Sequence, residues 1–271
     1  MAAMRGYDDR SYGDAFADVY DEWYAGVTDV AATVALLVEL AGPGPVLELG
    51  VGTGRLAIPL AASGLEVHGV DTSTAMLDRM AAKPGAGAVR VHVGDMVDDL
   101  PNGPFSLVIA AYNTLFNLRS AERQQAAFAA VAERLDAGGH FVVEAFVPDE
   151  HQPGGGNVSV RSLTADRVVL SVDVHDPTRQ QVDGQLVELT EGGGVRLRPW
   201  SIRYAPPAEL DAMAASCALT LEHRWGDAGR RPFTPDSSRH VSVYRRVPAA
   251  DAGVTDRARA EPAHGPILGP P

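Results

Sequence analysis

The run VLELGVGTGRLAIPLA, residues 46–61, constrains this chain more than any other stretch. An apolar segment with one acid, Glu48, leads into glycines at 50, 52 and 54, and a helical pattern follows. Glycine permits left-handed backbone and lets a ligand approach closely. Between a strand and a helix, such a turn delivers its ligand to the carboxyl end of the strand in an open α/β sheet. The dinucleotide fingerprint needs a third glycine three places after the second, where this chain has Arg55. A phosphate loop needs Gly-Lys-Ser/Thr, which does not follow. The turn is therefore predicted to hold an adenosine-containing ligand without gripping a pyrophosphate.

The pattern around this turn predicts the fold. Apolar and aromatic residues recur at helical spacing from Tyr12 through Phe16, Val19, Tyr20, Trp23 and Tyr24, and a second helix fits 28–41. Strands are predicted over 46–50, 66–71, 89–95, 105–112 and 140–147, with helices over 55–64, 73–83 and 120–139. Ser73 or Thr72 opens the middle helix; Ser120 caps the last one and Gly138 stops it. Four β-type segments over 158–163, 167–175, 180–190 and 195–204 have no helix between them, so they pair as an antiparallel meander. A helix over 206–218, with Pro207 near its start, and strands over 219–226 and 238–247 complete the chain. The predicted fold class is α/β: a doubly wound, mostly parallel seven-stranded sheet with an N-terminal helical cap and an antiparallel β-meander insertion. The predicted units are the cap at 1–44, a cofactor-binding core at 45–150, the insertion at 151–205 and the C-terminal part of the core at 206–247. A tail over 248–271, rich in Pro, Ala and Gly, is predicted to be disordered.

Composition narrows the function. The formal charge of −12 argues against nucleic acid, whose phosphates need a basic face; the one basic run, 224–233, reads as a solvated loop. Hydrophobic residues make up 45%, enough for a sizeable core. The single cysteine, Cys217, falls in a predicted helical stretch and supports neither a disulfide framework nor a zinc cluster, and no metal is predicted. No signal peptide is read at the start, and no apolar run approaches the ~18 residues of a membrane span, so a cytoplasmic protein is expected.

Glu48-x-Gly50-x-Gly52-x-Gly54 after the first strand resembles the first motif of the class I S-adenosylmethionine-dependent methyltransferases. Asp71 ends the second strand 21 positions after Gly50, where a carboxylate accepts ribose hydroxyls. GVDTSTAML resembles the family's second motif, placing Thr72 and Met76 near the nucleoside, with Met76 against adenine. GDM resembles its adenine motif, with the Asp95 carboxylate on the exocyclic amine and Met96 over the ring. RLDAGGHFVVEAF resembles a helix–turn–strand late in the core. The resemblance spans about residues 45–147 and implies S-adenosyl-L-methionine as cofactor. Ala111, closing the fourth strand, joins the implied cofactor contacts. Taken singly, the aspartates also read as turn caps and the methionines as core; their joint spacing carries the resemblance.

DVYDEWY, residues 18–24, resembles the N-terminal run of a branch that includes the amino-sugar N,N-dimethyltransferases. That likeness implies that Tyr20 and Tyr24 close over the methionine end of the cofactor, where aromatic faces suit a sulfonium. The alternative is a plain apolar helix face. The branch also places an antiparallel meander beside the cofactor crevice, which implies an acceptor-pocket wall and a homodimer contact. Trp200, Arg203 and Tyr204 are the acceptor contacts expected there, with Trp200 equally readable as meander core.

Methyl transfer needs alignment and exclusion of water, and a base is optional. The residues in reach follow the strand ends: Tyr112, Asn113, Thr114, Phe116 and Asn117 after strand four, and Glu144, Phe146, Asp149, Glu150 and His151 after strand five. Tyr112, Asn113, Asn117 and His151 are the catalytic candidates. The branch often has His or Tyr at the position of Asn117, and an amide is no base at neutral pH. His68 and His140 lie at the wrong strand end, and His92 reads as structural. The predicted function is methyl transfer from S-adenosylmethionine to nitrogen or oxygen of a small molecule. The alternatives are cofactor binding without transfer and methylation of a protein or peptide.

Overall fold

A computed structural model describes residues 4–149 and 151–247. Glu150 and the tail over 248–271 lie outside the described residues. The helices are α1 (Ser11–Phe16), α2 (Tyr20–Trp23), α3 (Val30–Ala41), α4 (Ala57–Ala62), α5 (Thr74–Ala81), α6 (Ala121–Arg134) and α7 (Pro207–Ala215). The first sheet has the order β10 (Leu219–Trp225), β11 (Arg239–Arg246), β5 (Leu135–Phe146), β4 (Phe105–Ala110), β1 (Val46–Leu49), β2 (Val67–Asp71) and β3 (Val89–Val93). Strands β1 to β5 run parallel, and β11 pairs antiparallel with both β5 and β10. The second sheet is the antiparallel meander β6 (Gly155–Leu163), β7 (Arg167–Asp176), β8 (Gln181–Thr190) and β9 (Val195–Arg203).

The two-residue side-chain period divides each core strand between two apolar layers. Leu47, Leu49, Val108, Ala110, Phe141 and Val143 pack with α6 and α7 on one face. Val46, Leu107, Ile109, Val142 and Val243 pack with α3, α4 and α5 on the other. A third cluster joins Phe16 and Val19 of the cap segment to Met76 of α5 and to Val169 and Leu186 of the meander. That cluster fastens the cap and the meander to the same edge of the core.

Several boundaries differ from the sequence expectation, among them the fourth strand, which ends at Ala110 rather than 112. The helix from Tyr12 breaks at residues 17–19 into α1 and α2. The helix predicted over 120–139 ends at Arg134, because Leu135 is already extended and pairs with Phe105. Gly138, expected to stop that helix, sits in the register shift of β5 with φ +83°. Cys217 follows the end of α7, with its Sγ 3.1 Å from the Nε2 of Gln125. Ser73 and Ser120 are N-caps, accepting from the N–H groups of Met76 and Arg123. No helix among the described residues is long and apolar enough to cross a membrane.

Every residue of β1 is buried, Glu48 included, and its Oε2 has no hydrogen-bond partner among the described residues. Burial pushes the Glu48 carboxyl from its ordinary 4.5 up to about 8, with Arg55 acting in the opposite sense. Between those values the folded chain binds a proton that the unfolded chain has lost, so stability falls as pH rises across that window. The slope is at most about 1.4 kcal/mol per pH unit. Glu48→Gln is expected to flatten it, so that the variant gains on the wild type from pH 5 to pH 8 in denaturant titrations. Equal pH slopes for the two proteins would show that Glu48 is charged throughout.

Candidate active site

The strand order reverses direction between β1 and β4, which opens a crevice at their carboxyl ends. The glycine turn enters this crevice with Gly50, Gly52 and Gly54 at φ +62°, +54° and +77°. The three glycines meet different surroundings. A Cβ on Gly50 would lie 2.6 Å from the Thr114 methyl, and one on Gly54 would lie 2.8 Å from Met80. At Gly52 it would meet only the Gly50 carbonyl at 3.9 Å. Gly52 therefore leaves open space for a ligand, whereas Gly54 serves packing.

Asp71 fixes the turn. Its Oδ2 accepts the Gly52 N–H at 2.8 Å, and its Oδ1 accepts the Ser73 N–H at 2.8 Å. Burial pushes its carboxyl up, against the pull of those two N–H groups. Asp95 follows β3. Its Oδ1 accepts from the Val97 and Asp98 N–H groups and from Arg123 at 2.6 Å, leaving Oδ2 without a protein donor among the described residues.

These groups border a cavity of about 330 Å³. Its floor carries Gly50, Gly52, Asp71, Thr72, Met76, Asp95 and Met96. The cap adds Tyr20 and Tyr24, whose rings lie 4.8 Å apart, and Tyr12. The meander adds Ser171, Leu186, Trp200 and Ile202. Gly184 lies opposite Trp200 on β8, and a Cβ there would stand 2.3 Å from the indole. The glycine thus lets that ring lie across the strand and reach the cavity; Trp200 is at once meander core and cavity wall.

The turn after β4 is held in an unusual backbone conformation, with Tyr112 at φ 45° and Asn113 at φ 65°. Glu144 Oε2 accepts the Tyr112 N–H at 3.1 Å, and the Glu144 carbonyl accepts the Asn113 N–H at 2.9 Å. Asn113 Oδ1 in turn accepts the Phe146 N–H at 2.8 Å. The Asn113 side chain is thus bound to backbone, and the Tyr112 ring lies 5.9 Å from Tyr24, edge to face. Asn117 also lines the cavity and donates to the Thr114 carbonyl at 3.3 Å.

Six of the expected site residues are not brought to the cavity wall: Glu48, Gly54, Ala111, His151, Arg203 and Tyr204. Glu48 is buried under the turn, and Ala111 belongs to the layer shared with α3 and α4. The His151 side chain is 95% exposed, with Nδ1 3.6 Å from Asp149. Arg203 is bound to Gln124, Gln180 and Glu209, and the Tyr204 hydroxyl to His175. His68 lies against His92, and His140 against Glu222. Tyr7, Asp8, Asp9 and Arg161 line the cavity without having been singled out in the sequence. The Asp9 carbonyl accepts the Thr72 hydroxyl at 2.9 Å, which carries this non-periodic segment to the site.

The described lining offers no histidine, lysine or cysteine. Burial pushes the phenols of Tyr12, Tyr20 and Tyr112 above their ordinary range, so they stay protonated at neutral pH. Asn113 and Asn117 are amides and no bases. The arrangement binds and orients; it suits a nucleophile that arrives ready to react.

The family described as a methyltransferase domain matches residues 46–139. The chain is 30% identical over 207 residues to a cypemycin N-terminal methyltransferase of Streptomyces sp, covering 74% of this chain and 82% of that protein. It is 29% identical over 230 residues to the dTDP-3-amino-3,4,6-trideoxy-alpha-D-glucopyranose N,N-dimethyltransferase of Streptomyces venezuelae, covering 80% of this chain and 95% of that protein. Among solved structures, the CcbJ methyltransferase of Streptomyces caelestis superposes with a TM-score of 0.82 at 43% identity, covering 89% of this chain and 100% of that one. The chain belongs to the class I S-adenosylmethionine-dependent methyltransferases and resembles their amino-sugar N-methyltransferase branch.

Proposed function

We propose that this methyltransferase methylates nitrogen or oxygen of a small molecule in natural-product metabolism. The observation that carries the reading is a partly open cavity of about 330 Å³, walled by the sheet ends, the cap and the meander, whose described lining has no histidine, lysine or cysteine. A cleft of that size favours a small acceptor over a protein surface or a nucleic acid. Of the two relatives above, one is an amino-sugar N,N-dimethyltransferase and the other an N-terminal methyltransferase.

S-adenosylmethionine, when bound, would supply a sulfonium-activated methyl carbon open to in-line attack by an acceptor lone pair, with the thioether sulfur as leaving group. In this reading Asp71 and Gly52 hold the ribose side, and Asp95 Oδ2 with Met76 and Met96 holds the adenine. Tyr20 and Tyr24 present aromatic faces to the cation. Tyr112, Asn113 and Asn117 shape the acceptor end, where Asn113 keeps the turn rigid and Tyr112 orients the nucleophile. Closure by the cap excludes water. A neutral amine needs no base before attack, and the described lining has no histidine, lysine or cysteine. His151, exposed and outside the lining, has no part in this reading.

The homodimer expected of the insertion is assigned to the outer face of the meander. Cross-strand pairing aligns Val160, Leu170, Val187 and Leu197 in one apolar row and Leu163, Val168, Leu189 and Val195 in the next. Val160, Leu163, Val195 and Leu197 are each more than half exposed, a continuous patch of the kind that marks association.

Three outcomes are expected. A mass-resolved methylation screen over amines, phenols and carboxylic acids with labelled cofactor gives labelled product from at least one small molecule; affinity for the cofactor with no turnover would favour a binder that transfers nothing. Asp71→Asn weakens S-adenosylhomocysteine binding by about 1.5–3 kcal/mol in calorimetry, and an unchanged affinity would show the pocket to be misplaced. In sedimentation experiments Val160→Glu with Leu197→Glu yields monomer where the wild type is dimeric; a wild-type monomer would refute the dimer.

A further inference from the structure

The charges around the cavity are separated. Asp71, Thr72 and Asp95 mark one end, and the chain over Asp8 and Asp9 joins it through the Thr72 hydroxyl. All four carboxylates of the described lining belong to this end. Arg161 is the cation of that lining, and it stands against the cap aromatics. Its guanidinium carbon lies 5.5 Å from the Trp23 ring centroid and 5.2 Å from that of Tyr24, and Tyr24 touches Tyr112 edge to face.

Arg161 owes this position to an irregularity. Val160 pairs with Leu170 and Ser162 pairs with Val169, so Arg161 is the extra residue of a β-bulge in β6. Bulges re-aim side chains, often beside active sites. Several neighbouring arginines are engaged with acids: Arg167 with Glu22 and Glu188, Arg196 with Asp18, Arg198 with Asp18 and Glu188, and Arg119 with Asp9; Arg55 instead donates to the Thr28 hydroxyl and Arg239 to the Val27 carbonyl. Among the described residues no carboxylate lies within ion-pair distance of Arg161. In a chain of net charge −12, Arg161 is exposed on one side, lies over two aromatic rings and has no acid partner among the described residues, which leaves its charge available to a ligand. A cationic methyl donor beside it adds repulsion that an anionic group relieves.

Resting on the small-molecule reading above, we propose that Arg161 is a specificity-determining residue that reads an oxyanion, carboxylate or phosphate, carried by the acceptor. The acceptor is thus an amine or hydroxyl compound with a negatively charged group set away from the nucleophile. The guanidinium fork accepts either oxyanion through paired N–H donors.

The test uses matched probes with the whole chain: L-proline against L-prolinamide for the carboxylate, and glucosamine 6-phosphate against glucosamine for the phosphate. Methylation is read with labelled cofactor. Stabilisation of the S-adenosylhomocysteine-bound protein by each probe, by acetate and by inorganic phosphate is read by thermal shift. The anionic member of at least one pair is expected to surpass its neutral partner by about ten-fold or more in kcat/KM, the scale of one charge-assisted hydrogen bond. Which pair responds identifies the oxyanion. Arg161→Gln collapses that ratio mainly through KM, Arg161→Lys retains part of it, and Arg90→Gln, at an exposed site on β3, retains all of it. Equal use of charged and neutral partners by the wild type, or an unchanged ratio in Arg161→Gln, overturns the proposal. If no probe is methylated, Arg161-dependent stabilisation by an anion supports the site while counting against the small-molecule reading. With neither methylation nor such stabilisation, the proposal falls.

Discussion

The Asp71 carboxylate accepts the N–H groups of Gly52 and Ser73 and so ties the glycine turn after β1 to the start of α5. Both turns lie at the carboxyl ends of parallel strands, where their backbone N–H groups have no sheet partner. A buried carboxylate satisfies one N–H of each and holds the two at a fixed separation. The cavity floor depends on that bridge, because Gly52 leaves the open space and Asp71 borders it.

The cap rests on the same two turns. The Ser73 hydroxyl donates to Asp14 at 2.6 Å, and the Thr53 hydroxyl donates to Asp21 at 2.6 Å, with Lys83 also on Asp21. Between these carboxylates Asp18 accepts from Arg198 of β9 at 2.6 Å, and Arg198 is almost wholly buried. Three acids on one short segment thus grip the glycine turn, the turn after β2 and the meander. The cap is thus tied to the cavity floor and to the meander at once. The bonds to Arg198 hold the Asp18 carboxyl below the usual range, against a smaller effect of burial, so this anchor is charged at neutral pH.

The core was legible because its signals are local. The continuous apolar run of residues 105–110 follows from burial on both faces, and the serine caps of α5 and α6 follow from side-chain geometry. The glycine turn with Asp71 and Asp95 was readable for the same reason, as each closes a strand. The end of α6 was not, since Leu135 and Ala137 suit a helix and only pairing with Phe105 draws Leu135 into the sheet. The cavity walls were hidden more deeply. Tyr7 to Asp9 show no period, and their place depends on a bond to Thr72, 63 residues away. Arg161 is aimed by a bulge, which leaves no mark in an alternating pattern. Ala111 sits beside the lining residue Tyr112, and one position along a strand reverses which way a side chain faces; Gly54 shares the motif's spacing, but Met80 and Ile58 fill the space around it.

In the function proposed above, the glycine turn, Asp71 and Asp95 grip one adenosyl group beneath the aromatic cap. A crystal structure with S-adenosylhomocysteine bound is the direct test. Ribose hydroxyls are expected on Asp71, the adenine between Met76 and Met96 near Asp95 Oδ2, and the sulfur facing Tyr20 and Tyr24. A ligand bound elsewhere, or one that leaves Asp71 without a contact, would contradict it.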